Sequence, residues 1–174
     1  MMKILLLFLI YSLFGTMLHF TFKLSKNNIV VGIFSAINES VWEHIKILLT
    51  PIFITSFITF ITKSYYNFFI LLVELVSSIA LIIIFYEIKT AIFKDKYGFI
   101  NVMSFYIVSL IVAFLHFALK DVEVSNIGNG LSFIMVIVIF AMYLTLSIFP
   151  PKHKYFKDPV TGTYGINAHV NKSV

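Results

Sequence analysis

Long apolar runs separated by short polar connections dominate the chain. A transmembrane helix needs about 20 consecutive, mainly apolar residues. Windows of this kind cover residues 4–22, 42–62, 68–88, 99–119 and 131–149. Because unpaired backbone groups are costly in lipid, short links between such runs predict an up-and-down bundle. The sequence therefore predicts an all-α, polytopic transmembrane helix bundle of about five spans.

The connections between the spans predict how the rest of the chain is arranged. The bundle is expected to occupy residues 1–150, and residues 151–174 to form a short soluble tail. Segment 125–130 is rich in Asn and Gly, which predicts a turn. Segment 29–37 is apolar but too short to span, which predicts a re-entrant or interfacial stretch. Asp-Pro and Thr-Gly pairs in segment 156–165 suit a tight turn, so this piece is expected to fold back under the bundle.

Composition agrees with a membrane protein and removes several functional classes. Hydrophobic residues make up 60% of the 174 positions and charged residues 12%, against about 25% charged residues in a soluble domain. Cysteine is absent, which excludes thiolate catalysis and disulfides. The formal net charge is +5, but no basic run accompanies it, so nucleic acid is not an expected partner. The expected partners are the lipid bilayer and either a second copy of the chain or another membrane protein.

The distribution of lysine predicts the orientation of the bundle. With five spans, the amino terminus shares a side with segments 63–67 and 120–130, and this side carries three lysines against ten on the other. The positive-inside rule then places the carboxy terminus in the cytoplasm and the amino terminus outside. The heavy use of Ile, Lys, Asn and Phe favours a bacterial genome rich in A and T. The expected location is therefore the bacterial cytoplasmic membrane, crossed several times.

The most unusual polar residues gather where the second span begins. Ser40 and Glu43 fit a capping box, in which the serine accepts from a first-turn amide and the glutamate reaches back to the serine amide. Glu39, Glu43 and Lys46 recur at helical spacing and are expected on one face. Polar side chains of the first and third spans reach the same level. The candidate site predicted at this end consists of His19, Asn38, Glu39, Glu43, His44, Lys46 and Glu87.

Two interpretations of this set are open. Charged groups near a membrane boundary can snorkel, cap a helix or form ion pairs, so a structural role is the simpler interpretation. The alternative is a site for a proton, a polar ligand or a divalent metal, and the candidate metal ligands are His19, Glu43 and His44. In either case, packing of the second span against the first is expected to bring Glu43 to His19.

A second candidate pair lies toward the opposite end. Glu74 is about two turns inside the third span, where an ionised carboxylate would cost roughly 2.5–3.5 kcal/mol if it were central. It is therefore expected to face the interior with a partner, or to carry a proton. His116 lies at a similar level on the fourth span and is the candidate partner. A lone histidine near a helix end is, however, more often an interfacial residue.

The block N-E-S-V-W-E-H-I-K at residues 38–46, followed by Pro51, resembles the signature of a family of small multi-pass membrane proteins. That family is bacterial, mainly from Firmicutes, and is defined as a domain of unknown function. His19 and the closing stretch Asp158-Pro159…Gly162-x-Tyr164-Gly165 are similar to the rest of its pattern. The resemblance extends over nearly the whole chain. It implies a membrane location and a shared polar site, and it implies no reaction.

Three functions are open at this point. The first is a small transporter-like component that handles a proton, an ion or a polar solute. The second is a non-catalytic partner or assembly subunit that docks through segment 38–46. The third is a membrane-embedded, metal-dependent hydrolase. The hydrolase is disfavoured because no spacing of acidic residues and histidine here matches a known catalytic motif.

Overall fold

The computed structural model describes residues 1–63, 66–93 and 99–170, and these residues form helices and no strand. In chain order the helices are α1 (Met2–Leu24), α2 (Ile29–Phe34), α3 (Val41–Thr62), α4 (Phe68–Phe93), α5 (Phe99–Leu119), α6 (Asn126–Ile148) and α7 (Asn167–Val170), with a 3₁₀ turn at Lys154–Phe156. Five of them, α1, α3, α4, α5 and α6, are long and apolar enough to cross a membrane. The all-α bundle with about five spans is confirmed.

Some predicted features lie outside the described residues. They are positions 64–65 in the second connection, the lysines at 94, 96 and 172 that entered the count for orientation, and residues 171–174 of the tail.

Helix α4 lies at the centre of the bundle, packed against α3, α5 and α6, while α1 packs against α3 and α5. Side chains such as Leu48, Leu75 and Val108 are fully buried between these helices. The outer faces carry exposed apolar side chains, for example Phe57 and Ile134. Apolar residues on both the inner and the outer faces are what lipid as the surrounding solvent requires.

The turn predicted at segment 125–130 is wrong. Helix α6 begins directly after Ser125, whose hydroxyl accepts a hydrogen bond from a first-turn amide at 3.1 Å. Asn129 lies inside the helix, where it accepts from the amide of Phe68 at 2.7 Å and donates to the carbonyl of Tyr66 at 3.0 Å. The asparagine thus holds the beginning of α4, a tertiary contact that its local turn propensity does not reveal.

Segment 29–37 forms the short helix α2 and an extended piece after it. A helix leaves its last four carbonyls without intrahelical partners. In α2, each of these four carbonyls accepts a hydrogen bond from a group outside the helix. The Val31 carbonyl accepts from the Ser35 amide, and the Gly32 carbonyl accepts from the Lys46 ammonium. The Ile33 carbonyl accepts from the Tyr143 hydroxyl, and the Phe34 carbonyl accepts from the Thr50 hydroxyl. Side chains of α3 and α6 therefore close the end of α2, as irregular backbone within a bundle requires.

The tail packs back on the end of the bundle where α3 begins. Lys157 and Tyr164 form an isolated antiparallel bridge, and Gly162 between them has a φ of 71°, which glycine adopts without a steric penalty. Phe156 packs on Trp42 with 5.4 Å between ring centroids. The structure thus shows the fold-back expected for segment 156–165. The division of the chain into two domains at residue 150 stays a prediction.

Candidate functional site

The seven candidate residues at this end of the bundle separate into three groups instead of one site. They differ in whether they face a cavity, the interior or the tail. His19, Glu39 and His44 line a cavity, Glu43 and Lys46 form a buried ion pair, and Asn38 and Glu87 contact the tail.

Glu39 joins the two histidines of the first group. Nε2 of His19 lies 3.4 Å from Oε1 of Glu39, and Nε2 of His44 lies 4.0 Å from Oε2. Nδ1 of His44 is 2.9 Å from the carbonyl oxygen of Ser40, so its other ring nitrogen is directed at Glu39. The contact with His19 lowers the pKa of the Glu39 carboxyl below its ordinary value, because the imidazole stabilises the charged form.

The cavity beside these residues measures about 440 Å³, within the usual range of small-molecule sites. Helices α1, α4 and α5 supply its other walls, and Lys154 and Lys157 of the tail lie over it. Thr16, one turn before His19 on α1, also lines the cavity and hydrogen bonds to Tyr106 at 2.9 Å. The cavity therefore combines titratable groups, hydroxyls and apolar walls.

Glu43 and Lys46 belong to the interior. Nζ of Lys46 is 2.6 Å from Oε2 of Glu43, and the two side chains are 0% and 3% exposed. The same Glu43 oxygen accepts the amide of Ile37 at 2.9 Å, while Lys46 donates to the Gly32 carbonyl at 2.8 Å. Among the described residues, the hydrogen bonds that these two side chains make beyond the pair go to segment 29–37. The pair thus connects α3 to the end of α2.

The predicted contact between Glu43 and His19 is wrong, because the carboxylate that reaches His19 is Glu39. Glu39 precedes the first turn of α3, so it does not follow the helical face that carries Glu43 and Lys46. It is also half exposed, whereas the remainder of segment 38–46 is buried or nearly so.

The capping box is confirmed in one half only. The Ser40 hydroxyl accepts from the amide of Glu43 at 3.4 Å, as predicted. The Glu43 carboxylate bonds instead to the amide of Ile37, and the amide of Ser40 donates to Oδ1 of Asn38 at 2.9 Å. Asn38 takes the place in the box that the pattern assigned to Glu43.

Ser40→Ala is expected to destabilise the protein by about 1 kcal/mol, the usual cost of a lost N-cap. The measurement is the thermal midpoint of the purified protein in detergent. Ser40→Thr keeps the hydroxyl and is the matched control, for which a much smaller shift is expected. An alanine variant as stable as the threonine variant would show that Ser40 does not cap α3.

Asn38 and Glu87 hold the tail. Oε1 of Glu87 accepts from the hydroxyl of Tyr155 and from Nζ of Lys154, each at 2.6 Å. This carboxylate raises the pKa of the Tyr155 hydroxyl and of the Lys154 ammonium. Asn38 Nδ2 lies 3.5 Å from Nε2 of His169. These contacts keep the tail over the cavity.

The described residues contain no group of three His, Asp or Glu side chains placed to hold a metal ion. The set proposed from the sequence, His19, Glu43 and His44, is not assembled, because Glu43 is paired with Lys46 in the interior. The metal-dependent hydrolase therefore cannot use these three residues together as ligands, and as a function it stays a prediction.

At the opposite end of the bundle, Glu74 and His116 are in contact. Nδ1 of His116 lies 2.8 Å from Oε1 of Glu74, and the Tyr11 hydroxyl donates to the same oxygen at 3.3 Å. The Glu74 side chain is 2% exposed and that of His116 37% exposed. The histidine thus links a buried carboxylate to the surface of the bundle. The pairing is as expected from the sequence, and its functional role stays a prediction.

Residues 1–166 match the profile of a family described as a family of unknown function, DUF6512. The chain belongs to this family. No curated protein and no solved structure matches the chain. Membership of a family of unknown function is what the resemblance implied. The bacterial origin of this DUF6512 chain and the role of segment 38–46 as its signature stay predictions.

Several polar residues at both ends of the bundle of this DUF6512 chain were not predicted from its sequence. The position of Thr16 could have been predicted from helical spacing. Ser12, Thr16 and His19 are spaced four and three residues apart and so share one face of α1. Lys89 and Asn101 also line the cavity and hydrogen bond at 2.9 Å. No pattern connects these two, because they meet only through the packing of α4 against α5. The missed residues are Tyr11, Thr16, Lys89, Asn101 and Tyr106.

Proposed function

We propose that this protein is a small transporter-like component that moves protons together with an ion or solute held in the cavity. Glu74 carries the proposal. Its carboxylate is buried in a helix long enough to span a membrane, and its partners are His116 and Tyr11. Ionisable groups inside a span are costly, and those that occur commonly mark proton or substrate pathways.

Polar side chains continue from Glu74 toward the cavity along α1. Tyr11 is followed by the buried Ser12 and by Thr16, which lines the cavity with Tyr106. Tyr11 and Thr16 are five residues apart, about 7.5 Å along the helix axis and about 140° around it, so a proton would need a chain of several bridging waters between them. A proton entering at His116 would pass through Glu74 and Tyr11 and leave through the histidines of the cavity.

The proposed setting is a bacterial cytoplasmic membrane, with the cavity facing the cytoplasm. Of the lysines in the described residues, seven lie toward the end of the bundle that carries the cavity and the tail, against three toward the other end. Positive charge is concentrated on the cytoplasmic side of membrane proteins. Under this orientation His116 takes up protons from outside and the cavity exchanges both protons and solute with the cytoplasm.

Glu74→Gln is expected to reduce proton flux at least about tenfold, because glutamine keeps the hydrogen-bonding shape of the carboxyl but cannot carry the proton. The assay uses proteoliposomes loaded with the pH-sensitive dye pyranine, with a membrane potential set by valinomycin and a potassium gradient. Asp121→Asn is the matched control, since Asp121 is an exposed carboxylate near the same end of the bundle, with a side chain 82% exposed.

Two results would overturn the proposal. One is a wild-type flux no greater than that of empty liposomes. The other is a Glu74→Gln flux equal to that of Asp121→Asn. Thermal midpoints of both variants, measured in detergent, separate loss of transport from loss of folding.

A further inference from the structure

The tail contains a loop whose two ends meet. A Cβ atom at Gly165 would lie 2.8 Å from Cγ of Pro150, so residues 151–164, the tail loop, leave the bundle and return to the same point. Ile166, directly after the loop, is 1% exposed and is buried together with Phe22 and Ile37, which fixes the far end. Compact loops of about 6–16 residues with adjacent ends are frequently functional.

The second half of the tail loop is bonded to itself. The Asp158 carboxylate accepts from the amides of Val160 and Thr161, each at 3.2 Å. The Asp158 amide donates to the carbonyl of Thr163 at 2.9 Å. Pro159 and Val160, at the tip of this half, line the cavity. The half over the cavity can therefore move as one body and keep its own hydrogen bonds.

The contacts that hold the tail loop to the helices are weak ones. Glu87 of α4 accepts from Lys154 and Tyr155, but the side chains of Glu87 and Lys154 are 41% and 53% exposed, and exposed ion pairs add little stability. Phe156 packs on the ring of Trp42. Nε1 of Trp42 is buried without a hydrogen-bond partner among the described residues, a cost that contact with water would remove.

We propose that the tail loop is a lid on the cavity, which rotates about Pro150 and Gly165 and is held closed by Glu87. The structure has the lid closed. Opening breaks the bonds of Glu87 to the loop and the contact between Phe156 and Trp42, while the segment after the loop stays in place. This inference rests on the proposed function, since the solute in the cavity is what the lid admits, but its motion is tested without measuring transport.

The test measures access to the cavity with a single introduced thiol. The chain contains no cysteine, so Ser104→Cys places one thiol on the cavity wall, at a position 8% exposed. The full-length protein in lipid nanodiscs, which leave both membrane faces open, is reacted with a charged methanethiosulfonate reagent, and labelling is followed by mass spectrometry. If opening is fast compared with labelling, the labelling rate follows the population of the open state.

Adding Glu87→Ala to Ser104→Cys is expected to raise the labelling rate about fivefold, the effect of losing an exposed pair that held the lid closed. Quenching of Trp42, the single tryptophan of the chain, by acrylamide should increase in the same variant. Glu123→Ala, at an exposed glutamate near the opposite end of the bundle, is the matched control and should change neither signal. Ser109→Cys, 0% exposed on the same helix and outside the cavity lining, should stay unlabelled throughout.

Three results would overturn the lid. Equal labelling and quenching with Glu87→Ala and with Glu123→Ala would show that Glu87 holds nothing closed. Labelling of Ser104→Cys as fast as that of Val160→Cys, at a position 76% exposed, would show that the loop leaves the cavity open. An equal increase at Ser109→Cys would mean that the whole bundle loosens. Because labelling needs no proton gradient, a missing proton flux would overturn the proposed function and leave the lid intact.

Discussion

Lys46→Met is expected to destabilise the protein by about 3–5 kcal/mol, the usual cost of removing one partner from a buried ion pair. Lys46 is fully buried, with its ammonium 2.6 Å from the carboxylate of Glu43 and 2.8 Å from the carbonyl of Gly32. Methionine is also long and unbranched, but it donates no hydrogen bond. The substitution leaves Glu43 as an uncompensated buried charge and removes the donor to the end of α2. The measurement is the thermal midpoint in detergent.

Two controls assign the loss to the buried pair. Adding Glu43→Gln to Lys46→Met removes the uncompensated charge and keeps an acceptor for the Ile37 amide, so part of the stability should return. Lys23→Met, at an exposed lysine near the same end of the bundle, should change stability by no more than about 0.5 kcal/mol. If Lys46→Met were as stable as Lys23→Met, the pair would not be part of the fold.

The spans were predictable because a run of about 20 apolar residues has few alternatives to a transmembrane helix. The start of α6 was not predictable in the same way. Asn and Gly favour turns when only near neighbours are considered, but Asn129 bonds to the beginning of α4. That contact depends on how two distant helices pack, which local sequence does not encode.

Part of the candidate site followed from helix geometry alone. The rise of 1.5 Å per residue fixes the depth of a side chain in its span, and this put Glu74 and His116 at one level. The partner of His19 could not be found in this way, because Glu39 lies before the first turn of α3, where helical periodicity does not apply. The bond from Lys46 to the Gly32 carbonyl was likewise hidden, since that carbonyl belongs to the end of a short, separate helix.

Gly15→Ala is the second substitution with a large expected effect, because α1 approaches its neighbours closely at Gly15. A Cβ atom there would lie 2.8 Å from the carbonyl oxygen of Ile47 and 2.5 Å from Cζ of Phe105. The phenylalanine ring can turn, but the carbonyl belongs to the backbone of α3. It is also the carbonyl four residues before Pro51, which has no amide hydrogen to bond it. We expect a loss of about 1–3 kcal/mol, the usual cost of overpacking.

Gly130→Ala is the matched control, and it is expected to shift the thermal midpoint in the opposite direction. Gly130 lies inside α6, and nothing stands within 4 Å of the position its Cβ would take. Alanine is favoured over glycine in a helix interior by about 1 kcal/mol, so Gly130→Ala should raise the thermal midpoint. Gly15→Ala has the same gain in helix propensity, so it destabilises the protein only because the clash with the Ile47 carbonyl costs more than this gain. Opposite shifts of the two midpoints are therefore expected, and a rise in both would mean that α1 does not pack against α3 at this distance.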